Sequence, residues 1–355
     1  MQSRIRAALV ATLSGTFSLS KSRLETLACV LIAMVSSRTV NLTHAACHLP
    51  DKALHASRYR RLQRFFQYVR LDQDAVARLV IGMLNLNRPI LLALDRTNWR
   101  VGSTDINILV LAVVTRRFRV PLMWTLLAHQ GNSDTEQRIA LMERYLALSG
   151  AASIQWLLAD REFVGARWMN FLNENNIPFA IRVKESLSIV LEGDKTVSLA
   201  TLLRHRRARR VVHCFEGQLP ETATPVRVAI KQLKTDEWLI VMTNRGDGAA
   251  ALSAYRKRWR IECLFGDAKT RGLNLEDTRI TDPGKLATLL GILALAIGWA
   301  YRCATQTMGR RAIARKTHGR REKSWFRVGF DALRTSLLAS CELAARAWTN
   351  RRQSA

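Results

Sequence analysis

Up to about residue 87 the apolar positions recur with the spacing of helices. LETLACVLIAMVSS, 24–37, predicts an apolar helix, and SRYRRLQRFFQYVRLDQDAVARLVIGMLN, 57–85, predicts one or two amphipathic helices with basic and aromatic positions interleaved. From residue 88 the spacing changes. PILLALD, INILVLAVVTRR and VPLMWTLLA are apolar, rich in β-branched residues and separated by short polar turns, which predicts three consecutive strands of a meander. SDTEQRIALMERYLALSG then returns to helical spacing, opens on Ser133 and Asp134, both suited to N-capping, and stops at Gly150. SIQWLLAD, GARWMNFLNENN and PFAIRVK follow as strand, helix and strand. The stretch 185–244 is β-rich and turn-rich, with IVLEGDKTVSL, RRVVHCFEG and WLIVMTN as strands, and AAALSAYRKRWRIECLFGDAKTRG resumes helix.

The order strand, strand, strand, helix, strand, helix, strand is that of a ribonuclease H-like core, an α/β fold in which a mixed sheet carries helices. The expected organisation is an N-terminal helical DNA-binding domain over 1–87 and a first core part over 88–184. A β-rich insertion follows over 185–244, then a second core part over 245–285 and a C-terminal helical, basic region over 286–355. The most apolar run, LATLLGILALAIGWAY, has 16 residues. A membrane span needs roughly 20, so a buried core helix and no membrane are expected. The apolar run near the N-terminus is short and broken by Ser, Gly and Thr, which argues against export and for the cytoplasm.

Charge changes the picture most. Lys plus Arg number 55 against 28 for Asp plus Glu, a formal net charge of +27 spread along the whole chain. Such a surface suits a polyanion, most simply nucleic acid, through counterion release. Arg58, Arg60, Arg61 and Arg64 form one basic cluster, and Arg310, Arg311, Arg315, Lys316, Arg320 and Arg321 another. Each is either a solvated face or a DNA-phosphate contact. The six cysteines form no CxxC pair and no zinc-type Cys/His cluster, as expected of free thiols in a reducing compartment.

Asp95 closes ILLALD and Asp160 closes SIQWLLAD, each a carboxylate at the end of an apolar run, where α/β sheets place their chemistry. The third carboxylate is Glu262, in the cationic YRKRWRIECLFGDAK. At ~100° per residue, Tyr255, Arg258, Glu262 and Lys269 share a stripe ~60° wide on one continuous helix, with Asp267 pointing elsewhere. Glu262 in that setting is either an i,i+4 surface partner of Arg258 or a metal ligand between phosphate-gripping cations. Trp259 and Phe265 read as packing residues, and His129 as a structural hydrogen-bonder.

The spacing Tyr255, Arg258, Glu262, Lys269 resembles the YxxRxxxExxxxxxK signature of DDE transposases of bacterial insertion-sequence family four, and DRTNW, 95–99, and ADRE, 159–162, resemble its two acidic motifs. The likeness covers the chain in domain order. It implies that Asp95, Asp160 and Glu262 are the catalytic triad, and that Tyr255, Arg258 and Lys269 bind phosphate. Arg161, next to the second Asp, would steady a phosphate or the metal carboxylates. Three carboxylates could hold two Mg²⁺ ions, with Mn²⁺ as a substitute, for in-line phosphodiester displacement. The implied activity is cleavage at insertion-sequence ends and strand transfer into target DNA by cut-and-paste, through a DNA hairpin. The implied partners are double-stranded DNA, as terminal inverted repeats and target, and a second copy of the chain in a DNA-dependent homodimer. By the same likeness Trp238 stacks on a flipped base, a contact worth roughly 1–3 kcal/mol; the other reading is a Trp in the core of the β segment. The alternatives to a transposase are another ribonuclease H-like nuclease and an inactive or domesticated DNA-end-binding protein.

Overall fold

The computed structural model describes residues 2–49, 53–87, 89–204 and 211–349. Five helices come first: α1 (Gln2–Ser14), α2 (Lys21–Ser37), α3 (Leu42–Cys47), α4 (His55–Tyr68) and α5 (Gln73–Leu84). The expected meander follows as β1 (Ile90–Val101), β2 (Thr104–Val114) and β3 (Arg119–Leu127), then α6 (Thr135–Ser149), β4 (Ile154–Ala159), α7 (Ala166–Glu174) and β5 (Phe179–Arg182). The next stretch holds β6 (Ser188–Leu191), β7 (Lys195–Ser198), α8 (Leu199–Arg204), β8 (Val212–Gln218), β9 (Pro225–Gln232) and β10 (Trp238–Thr243). The remainder is helical: α9 (Gly248–Tyr255), α10 (Arg260–Ala268), α11 (Pro283–Met308), α12 (Trp325–Leu338) and α13 (Glu342–Thr349). The run RRVVHCFEG became β8, although its Arg209 and Arg210 lie outside the described residues. Strand β9, PVRVAIKQ, is buried at Val226 and from Val228 to Ile230 and was not among the expected ones.

Local chemistry accounts for the boundaries. Gly102, at φ 60°, takes the tight turn that closes the β1–β2 hairpin at Val101 and Thr104. Asp134 caps α6 in a full capping box with Gln137, two orphan donors being satisfied reciprocally.

All ten strands form one sheet in the order β3-β2-β1-β4-β5-β10-β9-β8-β6-β7. β1, β2 and β3 are antiparallel, and β4 and β5 run parallel to β1, which with the helices makes a ribonuclease H-like core. The β-rich stretch is joined to that core edge to edge, because β10 pairs antiparallel with β5. Hydrogen bonding therefore runs unbroken from the meander into the last hairpin, so the core edge at β5 is not left open.

One hydrophobic cluster extends through the N-terminal helices, the sheet and the C-terminal helices. α11 lies at its centre against α5, α12, α13 and β3. It is the one helix among the described residues long and apolar enough to cross a membrane, but 89% of its apolar window is buried within the protein, so it is a core helix. α12 approaches it closely at Gly329, where a Cβ would lie 1.9 Å from the carbonyl oxygen of Ala300. Gly329→Ala therefore forces two backbones apart and should cost about 1–3 kcal/mol, read as a lowered melting temperature.

Asp267 of α10 is buried 3.6 Å from Arg119 of β3, and the Arg119 Nε donates to the Tyr301 hydroxyl at 3.3 Å. Burial pushes the Asp267 carboxyl up from 3.8 to about 6, against the pull of Arg119 and Arg271. The folded protein holds this proton more tightly than the unfolded chain, so ionisation across that window weakens the fold as pH rises. Relative to Asp267→Asn, which cannot ionise, the native protein should lose on the order of 3 kcal/mol between about pH 4 and about pH 7, measured by denaturant titration.

Candidate active site

The parallel pairing of β1 and β4 aligns Leu94 with Ala159, so Asp95 and Asp160, the next residue of each chain segment, emerge side by side. Asp160 stands where β4 ends, as expected. Asp95 does not stand at a strand end: β1 continues to Val101 with β2 as its partner. The strand carries on because Thr97 and Trp99 alternate inward while Asn98 and Arg100 face out, a pattern that the charges of DRTNWR obscure. Each aspartate accepts the backbone N–H of the arginine that follows it, Arg96 or Arg161, at 2.8 Å.

Glu262 reaches this pair from α10, which packs against β1, β2 and β3. The expected single helix with Tyr255, Arg258, Glu262 and Lys269 on one stripe is not what forms. α9 ends at Tyr255 and α10 begins at Arg260. Between them the amides of Lys257, Arg258, Arg260 and Ile261 each bond to the carbonyl three residues back, an overwound 3₁₀-type turn. Its cause is long-range: Arg258 is drawn to the carboxylates, while Arg260 Nη1 donates to the Val114 carbonyl at 3.0 Å. Lys269 is the residue that ends α10 and lies outside its helical turns.

Arg258 is the centre of the site. Its Nη1 donates to Asp95 Oδ2 at 3.0 Å and its Nη2 to Glu262 Oε1 at 2.6 Å, with Asp160 Oδ2 at 3.7 Å. Only 12% of its side chain is exposed. The Tyr255 hydroxyl donates to Asp160 Oδ1 at 3.2 Å. Burial raises the Asp95 carboxyl to about 6, with Arg258 and the Arg96 amide opposing and Glu162 and Asp160 adding to it. Burial likewise raises the Tyr255 phenol, so it remains a donor at neutral pH.

These contacts bring together Asp95, Asp160, Glu262, Tyr255 and Arg258. Lys269 is near by but elsewhere: its Nζ pairs with Glu276 at 2.7 Å, donates to the Asn98 carbonyl at 3.3 Å and sits 5.8 Å from the Trp99 ring. The Arg161 side chain is exposed. Trp238 opens β10, and because β10 is antiparallel to β5 it lies at the same edge of the sheet as Asp95 and Asp160, partly buried against the core. Two strand spacings, about 10 Å, separate β10 from β4. Arg60 and Arg64 of α4 are exposed, whereas Arg58 is half-buried and Arg61 is held by Thr26 of α2 at 3.1 Å. Arg310, Arg311, Arg315 and Lys316 are exposed on the segment 309–324, which forms turns rather than the expected helix because Gly309 and Gly319 take positive φ.

Trp259, expected to pack, is 64% exposed at the start of α10, since the overwound turn rotates it away from the core; Phe265 does pack. His129 makes local contacts with Gln130 and Gln137. One partnership was missed entirely. Arg96 grips both oxygens of Glu162 at 2.8 and 2.9 Å, and also reaches Asn107 and Asn132. It thereby ties the two aspartate segments together one residue after Asp95 and two after Asp160.

As the side chains lie, no three His, Cys, Asp or Glu groups among the described residues stand close enough to hold one ion. The three carboxylates instead share the Arg258 guanidinium, which occupies a cation's place. With all three ionised, the cluster still carries two negative charges beyond what Arg258 neutralises, and its donors are all oxygen. That set suits a hard divalent cation once Arg258 turns aside.

A family model described as transposase DDE domain matches residues 87–299, more than half of the chain. The chain belongs to this family. The matched span takes in all three carboxylates and Arg258. This DDE transposase accordingly acts on DNA with nuclease or transposition chemistry, and enzymes of the family generally use divalent metal ions. A comparison with curated proteins gave no match.

Proposed function

We propose that this transposase cuts the ends of an insertion sequence of family four and joins them to target DNA by cut-and-paste, through a DNA hairpin. The observation that carries the reading is Arg258, which joins all three motif carboxylates at one point. Asp95, Asp160 and Glu262 would hold the metal, two ions of Mg²⁺ or Mn²⁺. Bound there, they would supply charge stabilisation for phosphodiester displacement.

The chain's own groups do the rest. Arg258, displaced from the carboxylates, turns its planar fork to non-bridging phosphate oxygens, which it binds bidentately. Tyr255 donates a hydrogen bond at the same place, and Arg96 with Glu162 fixes the separation of Asp95 and Asp160. Lys269 and Arg161 meet phosphates flanking the reacting one. Trp238 lies on the working edge of the sheet and stacks on the base flipped at the hairpin. Water is the first nucleophile and gives a 3′-hydroxyl; that hydroxyl attacks the opposite strand to form the hairpin, the flanking 3′-oxygen leaving. A second water opens the hairpin and restores the 3′-hydroxyl, which attacks a target phosphorus as the target strand's 3′-oxygen leaves, the protons passing to solvent. The partners are the terminal inverted repeats, target DNA and a second copy of the chain bound on DNA, with the cytoplasm as the setting. Arg60 and Arg64, and Arg310, Arg311, Arg315 and Lys316, are further phosphate contacts, with Arg58 and Arg61 behind the first group.

The test is metal-dependent cleavage of DNA bearing the ends of the element that encodes the chain. End-specific breaks followed by joining support the reading. Breaks without joining would make the protein a nuclease, and binding without breaks an end-binding protein.

A further inference from the structure

On the other side of α10 from the carboxylates lie two adjoining clefts of about 340 and 250 Å³. Arg116, Arg321 and Trp325 line both. One wall is the turn between β2 and β3, with Arg116 and Arg117; the other is the segment 309–324, folded back on itself by the bridge between Arg315 and Arg321. The smaller cleft is lined by Arg116, Arg117, Arg310, Arg311, Arg315 and Arg321 with Ala312, Ile313 and Trp325, and by no acidic residue. Arg117 stacks on Trp325 at 5.1 Å.

This cationic charge is not spent within the fold. Among the described residues, Arg116, Arg310, Arg315 and Arg321 make no ion pair. The larger cleft contains one acid, Glu322, and adds Arg260 together with Arg119 and Lys323, which are paired with Asp267 and Asp331. Burial and the neighbouring Arg119 and Arg116 lower the pKa of Arg260, as expected where positive groups crowd together. Like charges held this close favour a polyanion between them.

Shape and position narrow the polyanion. The carboxylate level is set by Asp95 opposite Val110, and β2 runs from there to Val114, followed by Thr115 at the mouth of the clefts. Five residues of strand are about 17 Å. That is about five base-pair steps of duplex, which places the clefts within reach of a duplex engaged at the carboxylates, toward the end of the sheet away from Trp238. Base reading needs an element inserted into a groove, whereas these arginines line a concavity that admits a sugar-phosphate backbone.

We infer that these clefts hold the backbone of target DNA during strand transfer, because they bind phosphates without reading sequence and a transposon end must be read. The inference rests on the proposed joining activity. The target lies along α10, with Arg116 and Arg117 on one side and Arg310, Arg311, Arg315 and Arg321 on the other.

The experiment uses the full-length protein and the double variant Arg116→Ala/Arg321→Ala, with Arg116→Lys/Arg321→Lys as the conservative control. Both residues are exposed, and melting temperatures confirm folding. Binding to a duplex lacking end sequence is followed by anisotropy across a salt series without metal. The alanine variant should lose about two from the salt slope and on the order of 30-fold in affinity at physiological ionic strength. Its joining of pre-cut ends to plasmid should fall by at least about tenfold, while end binding and end cleavage stay at the native level; the lysine variant should restore joining. An unchanged salt slope would overturn the inference, as would an equal loss of end binding, which would assign the clefts to the transposon end. If the native protein neither cuts nor joins, the proposed function fails, and the salt slope still decides whether the clefts hold DNA.

Discussion

Asp95→Asn, Asp160→Asn and Glu262→Gln each lower metal-dependent cleavage by about 10³-fold or more, the scale on which loss of one preorganised electrostatic group acts. Asp95→Asn is the most informative. Its amide oxygen still accepts the Arg96 N–H, so the strand keeps its local bond. The substitution removes a charge that burial already disfavours, and puts the amide nitrogen where Oδ2 accepted from Arg258 Nη1. End binding should therefore remain near native while cleavage collapses, and any fall in melting temperature should be smaller than that of Arg258→Ala. Retention of more than about a tenth of native cleavage in any one of the three variants would remove that residue from the metal-binding set. Glu262→Gln also distinguishes the two readings of its helix, since a mere i,i+4 partner of Arg258 contributes only about 0.3–0.5 kcal/mol and leaves cleavage intact.

Arg258→Ala has the second largest expected effect, and on stability as well as activity. In the metal-free protein the guanidinium is the shared counter-charge of three carboxylates and is itself largely buried. Removing one partner from such a cluster costs about 3–5 kcal/mol, because the remaining charges are left without compensation. In EDTA the variant should melt several degrees below the native protein. Added Mn²⁺ should raise the variant's melting temperature more than the native one's, since an ion meets no competing guanidinium there. Equal melting in EDTA would show that the carboxylates do not depend on Arg258. An equal response to Mn²⁺ would show that the arginine does not stand where the ion binds. Cleavage should fall in either metal, because the phosphate loses its bidentate partner.

The order of elements from β1 to β5 was legible in the chain because each signal is local. β-branched alternation marked β1, β2 and β3, and Asp134 with Gln137 marked the start of α6. The word spacing around Asp95, Asp160 and Glu262 marked the carboxylates, although nothing in that spacing shows that they meet. They meet because β1 and β4 are parallel and in register at Leu94 and Ala159.

Periodicity misled where distant partners override it. YRKRWRIECLFGDAK has the spacing of one helix, yet Arg258 and Arg260 are held in different directions by groups far away in sequence, and the backbone overwinds between them. Lys269 consequently leaves the stripe and Trp259 faces solvent. The Arg96–Glu162 clamp was equally hidden, being a contact between residues 66 positions apart.

By itself, then, the sequence determined the order of elements from β1 to β5, the excess of positive charge and the presence of three acidic words, since propensity, capping and composition act over a few residues. Only the tertiary structure decided which side chains share a site. That depends on strand register and on where a charged group finds its nearest opposite, and neither is a property of neighbouring residues. The same reason explains the arginine clefts: Arg116 and Arg321 become neighbours only when the β2–β3 turn and the segment after α11 are brought together by the fold.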